Sequence, residues 1–224
     1  MEQRRRRDLL LAGIALAAFP ASADGKKANA DQEVSPGEDL MREHGVLNRV
    51  LLVYDESVRR LESGEDGRLD LLAAAAGLIR RFIEGYHEKL EEAQLFPRFE
   101  KAGKLVDLVS VLRLQHAAGR VLTGDVLKLA VPATAANSAD RGRLADALRK
   151  FVRMYRPHEA REDTVLFPAF HDLVGQKEYG RLGEQFEAKE HELLGENGFE
   201  KAVAEVAELE KGLGIFDLAK FTPR

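Results

Sequence analysis

The segment Tyr86-His87-Glu88-Lys89-Leu90-Glu91-Glu92-Ala93-Gln94-Leu95-Phe96-Pro97 returns, rewritten, as Tyr155-Arg156-Pro157-His158-Glu159-Ala160-Arg161-Glu162-Asp163-Thr164-Val165-Leu166-Phe167-Pro168. In both copies a histidine is followed four residues later by a glutamate and nine residues later by Phe-Pro. At 3.6 residues per turn, histidine at i and carboxylate at i+4 share one face of an α-helix. Steps of four along that face read Ile83, His87, Glu91, Leu95 and Met154, His158, Glu162, Leu166, so each polar pair lies between apolar neighbours and is predicted to face a core. A second histidine precedes each pair at a matched distance, His44 by 43 residues and His116 by 42. Each half is therefore a helical hairpin with one histidine on its first helix and a His-x-x-x-Glu pair on its second.

The rest of the chain supports a helical reading. Ser35-Pro36-Gly37-Glu38 carries a serine N-cap, a proline at the first helical position and the glutamate of a capping box. Leu40, His44, Leu47, Leu51, Tyr54 and Val58 then recur at steps of three and four. A loop is expected at Ser63–Gly67, a second helix from about Leu69, and a kink or an end near Leu95, because Pro97 donates no backbone hydrogen bond. A third helix presents Val109, Leu112, His116, Gly119, Thr123 and Val126. Residues 131–139 read as a loop, and a fourth helix from about Asp140 is expected to be disturbed at Pro168. Helices over about 178–194 and 199–213 follow. The predicted class is all-α, an up-down-up-down four-helix bundle with additional C-terminal helices. The expected organisation is an export signal (1–23), a linker (24–35), the bundle (36–175) and a C-terminal helical extension (176–224).

The leader combines Arg4 to Arg7, the apolar run Leu9 to Phe19 and Ala21-Ser22-Ala23, a pattern that predicts cleavage after Ala23. Arg6-Arg7-Asp8-Leu9-Leu10 is similar to the twin-arginine signals of bacteria, which implies a periplasmic protein. Eleven apolar residues are too few for a stable membrane span. The formal net charge of the chain is −4, no basic stripe is present, and nucleic acid is not an expected partner.

Cysteine is absent, so a metal would have to be held by histidine nitrogen and carboxylate oxygen, donors suited to iron, manganese or zinc. Buried carboxylates are costly unless paired or bound to a cation, and two that face each other raise one another's pKa. Repetition of the whole pattern favours a metal-ligand set of His44, His87, Glu91, His116, His158 and Glu162 over histidines that merely hydrogen-bond within a core. Glu88, Glu159 and Tyr155 are expected to be additional ligands or supporting groups. His171 and His191 lie outside the repeat and read as surface residues.

The duplicated His…His-x-x-x-Glu hairpin with its trailing Leu-Phe-Pro resembles the hemerythrin-like, or HHE cation-binding, family. The resemblance runs from His44 to Phe167 and implies a non-haem di-iron centre inside a four-helix bundle. It would give His44 and His87 to one iron, His116 and His158 to the other, and Glu91 with Glu162 to both. The oxygen carriers of that family have a further histidine four residues after the one on the third helix, where this chain has Arg120. Their second bridging carboxylate follows its histidine by five residues, whereas Glu162 follows His158 by four. Those departures argue against simple oxygen carriage and leave binding or sensing of oxygen, peroxide or iron. The alternatives are a di-iron oxidase or peroxidase and a metal-free helical module. Periodicity does not fix the oligomeric state.

Overall fold

The computed structural model describes residues 34–223; the leader and nearly all of the linker lie outside them. Helix α1 (Pro36–Ser63) starts as the sequence predicts. Ser35 accepts from the Glu38 amide, and the Glu38 carboxylate accepts from the Ser35 amide. Helix α2 spans residues 69–102 and α3 Val106–Leu129. A short turn of helix (Pro132–Ala136) interrupts the expected loop, and α4 then spans residues 138–174 from an Asn137 cap. Two further helices, α5 (Gln176–Leu194) and α6 (Gly198–Leu213), follow, and no strand occurs among the described residues.

The proline residues disturb α2 and α4, as the sequence leads one to expect, but end neither helix. Each helix instead widens to a π-helical turn, Glu91–Leu95 in α2 and Glu162–Leu166 in α4, then resumes α-geometry through Pro97 to Ala102 and through Pro168 to Val174. In both, the amide just before the proline reaches back five residues, Phe96 to Glu91 and Phe167 to Glu162. The proline thus enters as the first-turn residue of a new α-segment, where its missing N–H costs little. Such insertions concentrate at functional sites, and here each begins at a repeated glutamate. A longer π-segment, Ile79–His87, has no counterpart in α4, and nothing in the sequence marks it.

The bundle interior is aromatic and aliphatic, with Tyr54, Phe82, Phe96, Phe99, Phe151, Phe167 and Phe170 all buried. The C-terminal helices cover the bundle. Helix α6 turns Ala202, Val206, Leu209 and Leu213 inward against α1 and α2. It is fixed by Arg49, whose guanidinium grips Glu210 at 3.0 and 2.6 Å, and by Arg60, which donates to the Leu213 carbonyl. Helix α5 reaches the start of α1 through Tyr179, whose hydroxyl accepts from the Gly37 amide at 2.9 Å; a Cβ at position 37 would lie 2.5 Å from that oxygen.

A closer approach occurs where α3 meets α4. A Cβ built on Gly119 would stand 2.0 Å from the Tyr155 hydroxyl, so only glycine leaves room for that ring. Gly119→Ala is expected to displace Tyr155 and destabilise the fold by about 1–3 kcal/mol, the usual cost of overpacking. Urea unfolding of the two proteins measures it; an unchanged midpoint would show that the contact is not tight.

Candidate metal centre

Four helices each bring one histidine to the centre: α1 His44, α2 His87, α3 His116 and α4 His158, all buried. The rings pair across each hairpin, His44 with His87 at a centroid distance of 4.7 Å and His116 with His158 at 5.0 Å, tilted by 53° and 51°. The Phe of each Phe-Pro lies against the first histidine of the opposite half: Phe167 on His44 at 5.4 Å and Phe96 on His116 at 5.5 Å, both at 27°. This crossing explains why the Phe recurs with the His-Glu pair, and it makes the two hairpins one pseudo-twofold unit.

Glu91 and Glu162 stand between the ring pairs. His87 Nε2 is 3.6 Å and His116 Nε2 3.4 Å from Glu91 Oε2, while His44 Nε2 is 3.4 Å and His158 Nε2 3.0 Å from Glu162 Oε2. Each carboxylate therefore touches a histidine from both halves. The six side chains form two triplets, His44/His87/Glu91 and His116/His158/Glu162, whose ligand atoms lie within 4.8 Å of one another. All four oxygens of Glu91 and Glu162, and Nε2 of His116, are buried without a hydrogen-bond partner. Orphaned acceptors of this kind are rare in folded proteins because each costs about 1–3 kcal/mol. A cation placed among them would satisfy all five atoms.

The outward nitrogens are all occupied. Nδ1 of His44 donates to Asp163 (2.7 Å), of His87 to Glu43 (2.6 Å), of His116 to Glu92 (3.2 Å) and of His158 to Gln115 (2.9 Å). With the hydrogen on Nδ1, each Nε2 faces inward, the tautomer a metal ligand needs; His44, charged in the metal-free protein, gives up its Nε2 proton when a cation binds. None of the four acceptors was singled out from sequence as a site residue. Each is an immediate neighbour of a predicted ligand: Glu43 of His44, Glu92 of Glu91, Gln115 of His116, Asp163 of Glu162.

The other predicted residues sit just behind this ring. Glu88 is buried with both oxygens engaged, Oε1 by the Tyr155 hydroxyl at 2.7 Å and Oε2 by Arg120 at 2.6 Å. Arg120 also reaches Glu92 at 2.5 Å, so its guanidinium lies between those two carboxylates, which with His116 make a third group of possible ligands. Tyr155 packs edge-on against His158 at 5.3 Å. Glu159 is buried outside both triplets and accepts from Asn48 at 2.9 Å. His171 and His191 are exposed and belong to neither triplet, His171 contacting Gln176.

Electrostatics follow from packing acids together without a metal. Burial, reinforced by the charge of Glu162, drives the Glu91 carboxyl well above its ordinary range. Burial opposes ionisation of Glu162 too, but His158 and His44 outweigh it and hold that carboxyl below its ordinary value. Burial likewise works against charge on His44, yet the hydrogen bond with Asp163 and the negative charge of Glu162 prevail and raise it to about 10. His87, buried beside that cation, is pushed well down. Desolvation lifts Glu43 to about 8 and Glu159 to about 7.

The hemerythrin HHE cation binding domain matches residues 35–169, more than half of the chain. The chain belongs to the hemerythrin HHE cation-binding family. Proteins of similar sequence include an uncharacterized protein of Mycobacterium bovis and uncharacterized proteins of two strains of Mycobacterium tuberculosis. Each is 50% identical over 190 residues, covering 85% of this chain and 74% of the relative. No solved structure matches the chain. The matched segment contains all four cage histidines and both central glutamates, so family and geometry agree on a site for metal cations.

Beside the cage, burial and the nearby Glu43, Glu190 and Glu187 raise Asp39 from 3.8 to about 7. An acid whose pKa is higher folded than unfolded stabilises the fold fully at low pH, and that contribution is lost as pH rises from about 4 through about 7. Asp39→Asn, in chelator-treated protein, is therefore expected to raise the melting temperature by about 2–6 °C at pH 8 and to change little at pH 4. Melting curves at the two pH values check the sign.

Proposed function

We propose that the cage holds two non-haem iron ions and that the protein binds or senses oxygen, peroxide or iron. His44 and His87 would hold one ion and His116 and His158 the other, with Glu91 and Glu162 within reach of both. One observation carries this reading: two His-His-Glu triplets share a core whose carboxylate oxygens have no protein partner. Nitrogen and oxygen donors without thiolate suit iron, and the same set accepts manganese or zinc. Bound iron would supply redox chemistry and affinity for small oxygen ligands. The chain's own groups orient the donors, exclude bulk water and keep the hydrogens on Nδ1.

Two histidines and two shared carboxylates per ion leave room for an exogenous ligand, which favours a binding or sensing role. Anaerobic reconstitution with ferrous iron is expected to give two metals per chain by elemental analysis, falling to one or fewer in Glu91→Ala. Full stoichiometry in that variant would refute the ligand assignment. Cycling between oxygen and nitrogen should then give a reversible change in visible absorption; one-way oxidation with consumption of peroxide would indicate an enzyme instead.

The arginine-led leader supports export of the folded protein to the periplasm. Replacing Arg6 and Arg7 by lysine is expected to leave the protein in the cytoplasm, and cell fractionation decides it. Unchanged export would point to an ordinary secretory signal.

A further inference from the structure

The pseudo-twofold relation that organises the cage is broken in its surroundings. Glu43, one residue before His44, holds the Nδ1 of His87; its counterpart, one residue before His116, is Gln115, which holds the Nδ1 of His158. An acid, able to ionise when a cation binds, therefore stands behind one ring and a neutral amide behind its twin. The other equivalent pair is Asp163 behind His44 and Glu92 behind His116. Here both acceptors are acids, but Arg120 lies 2.5 Å from Glu92 and neutralises it, while Asp163 has no arginine or lysine within ion-pair distance among the described residues. The next layer repeats the pattern. Glu88 is paired with Arg120, and its twin Glu159 meets only the amide of Asn48.

The two halves thus differ in charge compensation. Around His44 and His87 stand Glu43, Asp163 and Glu159, none with an arginine or lysine partner within ion-pair distance among the described residues. Around His116 and His158 stand Glu88 and Glu92, both bound to one guanidinium, and the uncharged Gln115. A carboxylate behind a histidine makes the ring a stronger donor and adds attraction for a cation, an effect worth about 10–100-fold in metal affinity. On the second side the fixed cation Arg120 already satisfies the acids and repels an incoming one.

Building on the two-metal reading above, we infer that the two positions are inequivalent and fill in order. The His44/His87 position takes the first divalent cation with higher affinity, and the His116/His158 position takes the second. Gln115 and Arg120 set the weakness of the second position without touching the metal. Such a protein would rest with one cation held firmly and exchange the other as the supply of metal changes.

Titration of the metal-free full-length protein with cobalt(II), at one pH and ionic strength, tests this by calorimetry and visible absorption. Two resolved steps differing by about tenfold or more are expected. His158→Ala should remove the weaker step and leave the tighter. Glu43→Gln, which keeps an acceptor for the Nδ1 of His87, should weaken the tighter step by about 10–100-fold. Gln115→Glu should strengthen the weaker step so that the two approach one another, and Gln115 is partly exposed, so the change should not cost the fold; helical circular dichroism confirms it. Two equivalents bound in a single step, or loss of the tighter step in His158→Ala, would overturn the order while leaving two metals per chain intact. A total near one equivalent would instead remove the two-metal reading, and the order with it.

Discussion

The hydrogen bonds from the four histidine Nδ1 atoms to Asp163, Glu43, Glu92 and Gln115 are the constraint on which the centre depends. Each joins two different helices: α4 to α1, α1 to α2, α2 to α3 and α3 to α4. Together they close a ring around the bundle axis, so no helix can slide or rotate without breaking one. The same four bonds decide the chemistry, because a hydrogen held outward leaves Nε2 free to face inward. Holding the helices together and preparing the donors are therefore one act.

A core built this way carries a cost that the surrounding packing must offset. Glu91 and Glu162 are fully buried, face one another and lack hydrogen-bond donors. In the absence of a cation, the cage compensates internally by raising the proton affinity of Glu91 and by charging His44. Phe96 and Phe167, laid flat against His116 and His44, close the cage with apolar surface and keep water from screening its charges. A divalent cation would replace those protons with permanent charge, so metal binding and stability are expected to be coupled.

The positions of the histidines and central glutamates were legible in the sequence because the helical period alone places i and i+4 on one face. The capping box at Ser35 and Glu38 was legible for the same reason: its interactions are local. The π-turns at Glu91 and Glu162 were not, since a proline signals only that regular α-bonding must fail and leaves open whether the helix stops or widens. Glu43, Glu92, Gln115 and Asp163 are not marked by the sequence because they act on a histidine of another helix, and the period of one helix says nothing about its neighbour. Arg120 was visible as a departure from the oxygen-carrying pattern, but its grip on Glu88 and Glu92 was not.

The sequence by itself determined an all-α chain with two equivalent hairpins, an interior set of histidines and glutamates, and the absence of thiolate ligands, because these rest on periodicity, repetition and composition. Tertiary structure alone decided that Phe96 and Phe167 cross between the halves, that α6 covers α1 and α2, and that two near-identical halves meet different charges. Those features depend on which helix faces which. That is set by packing of whole surfaces, and a one-dimensional pattern records the surfaces without recording their partners.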